Sequence, residues 1–289
     1  MKKASVILRA ASLAAFVFLL TRPELVSASA GEAIAFCADV IVPSLFVYMV
    51  LSELFGGAAA YFSGRAFPYI MILSGALCGS PSGACTIRAL RANGSVTERQ
   101  AECLLPVCSN PSASFIVSFA GAAVIGSLRA GVFILAAKLA LSFTMWKAIS
   151  LTALPPEERR FALARPDGKA SLTSAIKCAA SSVGTICACV VFFAVLADTV
   201  TPFCGGAAFG CLIRGAFEFS GGIGGCAALD PRARYVAVCA LIGWQGMCVH
   251  LQVSASVGES VRMKTYFAVK TAETFLMTLF GLLTKSAVI

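Results

Sequence analysis

Two lysines sit where an apolar chain has little reason to carry charge. Lys138 and Lys270 each lie several residues inside an apolar run. Sliding the chain so that Lys138 falls on Lys270 also superimposes Gly126 on Gly258, Ala136 on Ala268, Ala140 on Ala272, Phe143 on Phe275 and Met145 on Met277. An ammonium at the centre of a bilayer costs at least about 2.5–3.5 kcal/mol on insertion scales. Either each lysine snorkels or pairs with Glu273 or another acid, or the two contribute positive charge to an anion site. Their matched placement in a repeat strengthens the second reading.

Helix breakers set among apolar residues form the next group. Ser80-Pro81-Ser82-Gly83 interrupts the stretch Ile72 to Leu90, and Glu218, Ser220, Gly221 and Gly222 interrupt the run Phe203 to Leu229. Proline forces a turn, and glycine leaves backbone N–H groups open to an anion at a half-helix N-terminus. The alternative is close helix packing by small residues. Glu218 is read as a proton or cation coupler, or as the partner of Arg214. Two spans carry breaks of their own: Ser109-Asn110-Pro111-Ser112 in one half, and Gly243-Trp244-Gln245-Gly246, followed by His250 and Gln252, in the other. His250 titrates in a useful range but, as the lone histidine, also reads as a hydrogen-bonded structural residue.

These residues need a bilayer to position them. The chain is 58% hydrophobic, 13% charged, and has a mean hydropathy of +0.87. In hydrocarbon, irregular backbone is tolerated only where protein buries it or where it lines a cavity. The expected architecture is therefore all-α and polytopic, with about seven transmembrane helices and two re-entrant helical hairpins in an inverted repeat. Residues 1–32 hold a first transmembrane helix or signal anchor, with Ala28-Ser29-Ala30 resembling a peptidase site and retention preferred. Residues 33–150 form the first repeat: a span from Ala33 to Phe55 kinked at Pro43, a hairpin from Ala66 broken at Gly79 to Gly83, and spans Cys103–Ile125 and Ala130–Ile149. Residues 151–175, with Pro155-Pro156, Arg159, Arg160, Arg165 and Lys169, form a cytoplasmic linker. Residues 176–289 repeat the order: span Ile176–Ala197, hairpin Phe203–Leu229, and spans Tyr235–Val257 and Lys264–Thr284.

The net charge of +9 follows the positive-inside rule, because the basic residues gather in loops on one side; the N-terminus is placed in the cytoplasm. No basic stripe with interleaved aromatics appears, so nucleic acid is not an expected partner. The 13 cysteines fall mostly inside apolar runs and include no C-x-x-C pair. They read as small hydrophobes, with neither a metal site nor a disulfide framework. No nucleophile elbow, zinc-protease motif or phosphate-binding loop occurs, so no enzyme activity and no cofactor are expected. The expected partners are the lipid bilayer, a small-molecule anion and a coupling proton or cation, with a homo-oligomer left open.

Val42-Pro43-Ser44-Leu45-Phe46, Leu51-Ser52-Glu53-Leu54, Gly79-Ser80-Pro81-Ser82-Gly83-Ala84, Cys108-Ser109-Asn110-Pro111-Ser112 and Val249-His250-Leu251-Gln252-Val253, with Lys270 downstream, resemble the motifs of the YlbJ-type sporulation integral membrane proteins. That family lies in the wider nucleoside-recognition, or Gate, group. The resemblance covers most of the chain. It implies a role in endospore formation, in the bacterial cytoplasmic membrane or a mother-cell or forespore membrane. It further implies transport of a small carboxylated metabolite, with dipicolinate the leading candidate. The chain departs from the family's pattern at Trp244 and Gln245, where Gly-Phe-Gly-Gly is expected. A nucleoside or other small molecule is the alternative substrate, and a non-transporting anchor or assembly factor the alternative role.

Overall fold

A computed structural model describes residues 2–59, 64–161 and 171–288. Part of the linker, including Arg165 and Lys169, lies outside the described residues. The fold is all-α. Helix α1 (Lys2–Leu20) ends at a tight turn over Thr21 and Arg22, and α2 (Pro23–Phe36) begins at once. Arg22 precedes a proline, which disfavours helical backbone there, and its φ is −132°. The two segments meet at a bend of 101°. Residues 2–32, within the segment 1–32 expected to hold one first transmembrane helix or signal anchor, are divided between these two helices. A proline at the first helical position needs no N–H, so the chain re-enters a helix without loss.

Helix α2 runs through a π-helical turn, Cys37–Ile41, into α3 (Val42–Ala59). The expected disturbance at Pro43 therefore appears as a widened turn just ahead of the proline, whose missing N–H disrupts the hydrogen-bond ladder. Next come α4 (Phe67–Cys78), α5 (Ser80–Ala92), α6 (Glu98–Cys108), a π-helix over Phe115–Ile125 and α7 (Leu128–Ala153). The second half holds α8 (Leu172–Val200), α9 (Ala207–Phe217), α10 (Phe219–Gly225), α11 (Pro231–Trp244), α12 (Gly246–Val257) and α13 (Lys264–Val288).

Among the described residues, four helical segments are long and apolar enough to cross a membrane: Leu128–Ala153, Leu172–Phe203, Pro231–Ser260 and Lys264–Val288. The bent pair at the N-terminus makes a fifth if it is one span. These segments point to a lipid bilayer environment and are consistent with an integral membrane protein. The Pro231–Ser260 segment is the most enclosed, with 72% of its apolar window buried, against 22% for Leu128–Ala153. Large apolar side chains such as Phe203, Phe275 and Leu283 face outward from the shorter-range packing. Lipid chains would satisfy that surface, whereas water would not.

The core has two parts. Ala175, Ala179, Val183, Ile186, Val190 and Ala194 form a helical stripe on α8, which packs on Ala33, Cys37, Ile41, Met49 and Val50 of the α2–α3 segment. The larger part joins α4 to α7 with α9 to α13. Side-chain contacts sort the loops onto two ends. Gln100 donates to the Glu158 carbonyl at 2.7 Å, and Arg262 approaches Glu98 at 3.5 Å, so the loops near residues 97, 158 and 262 share one end. Arg234 donates to the Val124 carbonyl at 3.3 Å, which gathers the loops near residues 125 and 230 at the other.

Candidate functional site

Four helix breaks converge between the halves. The first is at Gly79, with φ 91° and ψ 169°, a conformation that side chains disfavour. It separates α4 from α5 at the first residue of the expected Gly79 to Gly83 interruption; Ser80, Pro81, Ser82 and Gly83 are themselves helical and form the first turn of α5, where a proline needs no N–H. The second covers Ser109 to Ser112, again where expected; Ser112 caps the following helix by accepting from the Phe115 N–H at 3.2 Å. The third is at Glu218, between α9 and α10. It falls before the expected Ser220-Gly221-Gly222 and Gly224-Gly225, which are helical. Glu218 ends one helix and starts the next, because its carboxylate accepts the Ser220 N–H at 2.8 Å and the Gly221 N–H at 2.5 Å. The fourth is at Gln245, the one non-glycine residue among those described with a positive φ, 69°. Left-handed backbone is uncommon outside glycine and marks a place held by its surroundings.

A cavity of about 70 Å³ adjoins the first three breaks and is lined as well by Ile41 and Leu45 of the α2–α3 segment and by Ile186 and Val190 of α8. Ser80 and Pro81 reach it from α5, Ser112 from the second break, Ser220 from α10, and Gln252 from α12. Phe115 and Phe219, which stack on each other with ring centroids 4.8 Å apart, also line it. Five of the candidate residues thus share one space. Gly83 does not reach it: a Cβ there would come 2.5 Å from the Cys108 carbonyl oxygen, so this glycine lets α5 press against the end of α6. Ser82 is buried, and its hydroxyl donates to the Gly79 carbonyl at 2.8 Å. Gly221 faces Glu218 and Arg214 rather than the cavity.

A second group forms a buried polar knot. Glu273 Oε2 lies 2.8 Å from both Lys138 Nζ and Lys270 Nζ, and all three side chains are buried. Lys270 also donates to the Ser109 carbonyl at 2.8 Å. Gln245 donates to that same carbonyl at 3.1 Å, and its own Oε1 accepts from Ser80 Oγ at 3.4 Å. Asn110 donates to the Val107 carbonyl at 2.7 Å and to Ser142 Oγ at 3.2 Å. The lysines therefore meet, one from each half, but on a carboxylate instead of on the cavity. Two ammonium groups against one carboxylate leave a formal excess of positive charge in a buried site. Such charge is tolerated only when it is paired and hydrogen-bonded.

His250 adjoins the knot through Tyr266, whose ring centroid lies 5.8 Å from Lys270 Nζ. Its Nδ1 is 2.9 Å from the Tyr266 hydroxyl, and Trp244 packs edge-on against its ring at 4.5 Å. Glu218 lies beside Arg214, which pairs with Asp198 at 3.1 Å; Ser29 donates to that same aspartate at 2.7 Å. Ser29, part of the peptidase-like Ala28-Ser29-Ala30, is thus packed against α8.

Sequence reasoning treated Glu273 only as a lysine's partner and passed over Ser142. Both signals were present. Glu273 is three residues from Lys270 and Ser142 four from Lys138, so each shares a helix face with its lysine. No family model, no curated protein and no solved structure matches this chain.

Proposed function

We infer that this protein is a membrane transporter of a small anionic metabolite working by alternating access. In this reading about seven spans and two re-entrant hairpins, α4–α5 and α9–α10, form an inverted repeat. The observation that carries it is the cavity between the Gly79 and Glu218 breaks, lined by Ser80, Ser112, Ser220 and Gln252 within an otherwise apolar chain. Broken helices meeting at the junction of two halves are a recurring transporter plan. On this reading the order span, broken pair, broken span, span would recur in both halves, which the sequence of helices supports. Three features favour an anion: the formal excess of positive charge at Lys138, Lys270 and Glu273, the α5 N-terminus without a side-chain cap, and the absence of acids among the described residues that line the cavity.

Dipicolinate and a role in spore formation enter through the motif resemblance alone. A neutral nucleoside is the second reading. It is favoured by the engagement of both lysines by Glu273, and by the Gln252 side chain in the cavity. An anchoring role would leave the convergence of four breaks without a purpose.

The test is uptake into proteoliposomes of labelled dipicolinate and labelled uridine at equal concentration. Accumulation of dipicolinate above protein-free vesicles is the expected result. Uridine accumulation without dipicolinate would move the substrate to the neutral class. Uptake of neither by correctly folded protein would remove the dipicolinate assignment and favour an anchor.

A further inference from the structure

A second cavity, of about 160 Å³, adjoins the first and shares Pro81, Ile186 and Gln252 with it. Its walls are unlike the rest of the molecule. Helix α8 is the most apolar of the long segments, with a hydropathy of 2.2, yet it presents Ser181, Ser182 and Thr185 to this cavity. Those positions share one helical face. Helix α12 adds Gln252 and Ser256 at the same kind of spacing, and α5 adds Pro81 and Arg88. Polar stripes on α8 and α12 and one arginine on α5 thus converge on one space. Facing hydrocarbon, they would gain nothing; a helix in a membrane keeps such a stripe where it meets protein or water. Thr185 satisfies its own hydroxyl by donating back to the Ser181 carbonyl at 2.9 Å, leaving its oxygen free to accept.

Two side chains give the cavity direction and charge. Gln252 lines both cavities, is 3% exposed, and makes no hydrogen bond among the described residues. Arg88 is exposed at the rim and has no ion-pair or hydrogen-bond partner among the described residues. It stands on the last part of α5, ahead of the loop that leads to Thr97, whose hydroxyl contacts Glu158 at 3.4 Å. The cavity therefore opens toward the end of the molecule that carries Arg159 and Arg160.

We propose that this second cavity is a water-filled vestibule leading to the central cavity, and that Arg88 at its rim makes it selective for anions. The vestibule rests on the transporter reading above, but it is tested without a substrate. A guanidinium at the mouth of a low-dielectric cleft concentrates anions and repels cations. Gln252, lining both spaces with no hydrogen-bond partner among the described residues, would hand a carboxylate or other hydrogen-bonding solute from one to the other.

The experiment uses thiol chemistry, which needs water. Cys85 and Cys178, which line the same space, are first replaced by alanine. Ser182→Cys and Ser256→Cys are then introduced singly, with Glu157→Cys as an exposed loop control and Phe192→Cys as a lipid-facing control. Anionic sulfonatoethyl and cationic trimethylammonioethyl methanethiosulfonates are applied to the folded protein in vesicles open on the Arg159 side. Both cavity positions should react, Phe192→Cys should not, and the anionic reagent should be favoured relative to Glu157→Cys. Arg88→Gln should lower that anionic-to-cationic ratio by roughly tenfold. Unreactive cavity positions beside a reactive Glu157→Cys would overturn the vestibule. Reactive positions whose ratio ignores Arg88→Gln would overturn the anion selectivity. A wet, anion-selective vestibule in a protein that fails the uptake test would leave this inference standing and remove the transport function instead.

Discussion

The two halves share an order of elements but divide their buried charge unequally. Both buried carboxylates at the centre come from the second half. Glu218 stands before α10 where Gly79 stands before α5, and Glu273 occupies the position that the repeat assigns to Leu141 in the first half. Each half supplies a lysine, yet only one supplies its counter-charge. The α10 start is closed by its own carboxylate, whereas the α5 start has no side-chain cap. The buried charge is thus distributed unequally between the halves, with an electrostatic direction. The first half leaves its N–H groups and its lysine to be satisfied from elsewhere; the second half satisfies both.

The largest expected effect comes from removing the shared acid. Glu273→Ala leaves two ammonium groups buried and unpaired and should destabilise the protein by about 3–5 kcal/mol, read as thermal unfolding in detergent. Replacing Lys138 and Lys270 by methionine in the same variant should recover most of that loss. A sharper version moves the acid across the repeat: Leu141→Glu combined with Glu273→Leu should be more stable than Glu273→Leu alone if the lysines need a carboxylate from either side. Equal stability of the two would break the idea that the halves are interchangeable frames for one charge.

Next in size is the contrast between Gly83 and Gly221. Gly83→Val drives a side chain into the Cys108 backbone and should cost about 1–3 kcal/mol or abolish folding. A Cβ at Gly221 meets only the ends of two side chains, Glu218 at 2.7 Å and Arg214 at 3.0 Å. Gly221→Ala should therefore cost less than Gly83→Ala by the same measurement. The reverse order would show that the α5 start has room to yield and the α10 start has not.

A smaller effect is expected at the caps. Glu218→Ala removes the acceptor of two backbone N–H groups and should cost about 1–2 kcal/mol. Gly79→Ala forces a side chain into a backbone region that is essentially glycine's and should cost about 1–3 kcal/mol by a different route, backbone strain. Glu218→Gln keeps an acceptor oxygen and should recover part of the loss, while no side chain rescues Gly79.

The smallest effect should be at Ser80. Its bond to Gln245 is long, at 3.4 Å, so Ser80→Ala should change stability by about 0.5 kcal/mol or less. If Ser80 holds solute, the same change should weaken uptake affinity while Ser220→Ala, at the self-capped start, weakens it less. Equal losses would remove the electrostatic direction from the site.

The sequence by itself determined the class of element and most of the breaks. Apolar runs of spanning length follow from the bilayer's demand for internally satisfied backbone. Gly79 and Asn110-Pro111 are legible as breaks because glycine and proline state their backbone needs locally. The repeat of Lys138 and Lys270 is legible for the same kind of reason, since an ammonium in an apolar run is costly wherever it falls. What the local pattern misplaced is also physical. Ser220 to Gly225 looks like a break, but the Glu218 carboxylate caps that glycine-rich turn and lets it stay helical. Only the tertiary structure decided where the charges go. Lys138 and Lys270 reach the same Glu273 oxygen across two helices distant in sequence, and Gln245 is held in left-handed backbone between Ser80 and Ser109. Those choices depend on which faces meet, and a pattern of single residues along one chain carries no information about the distance between faces.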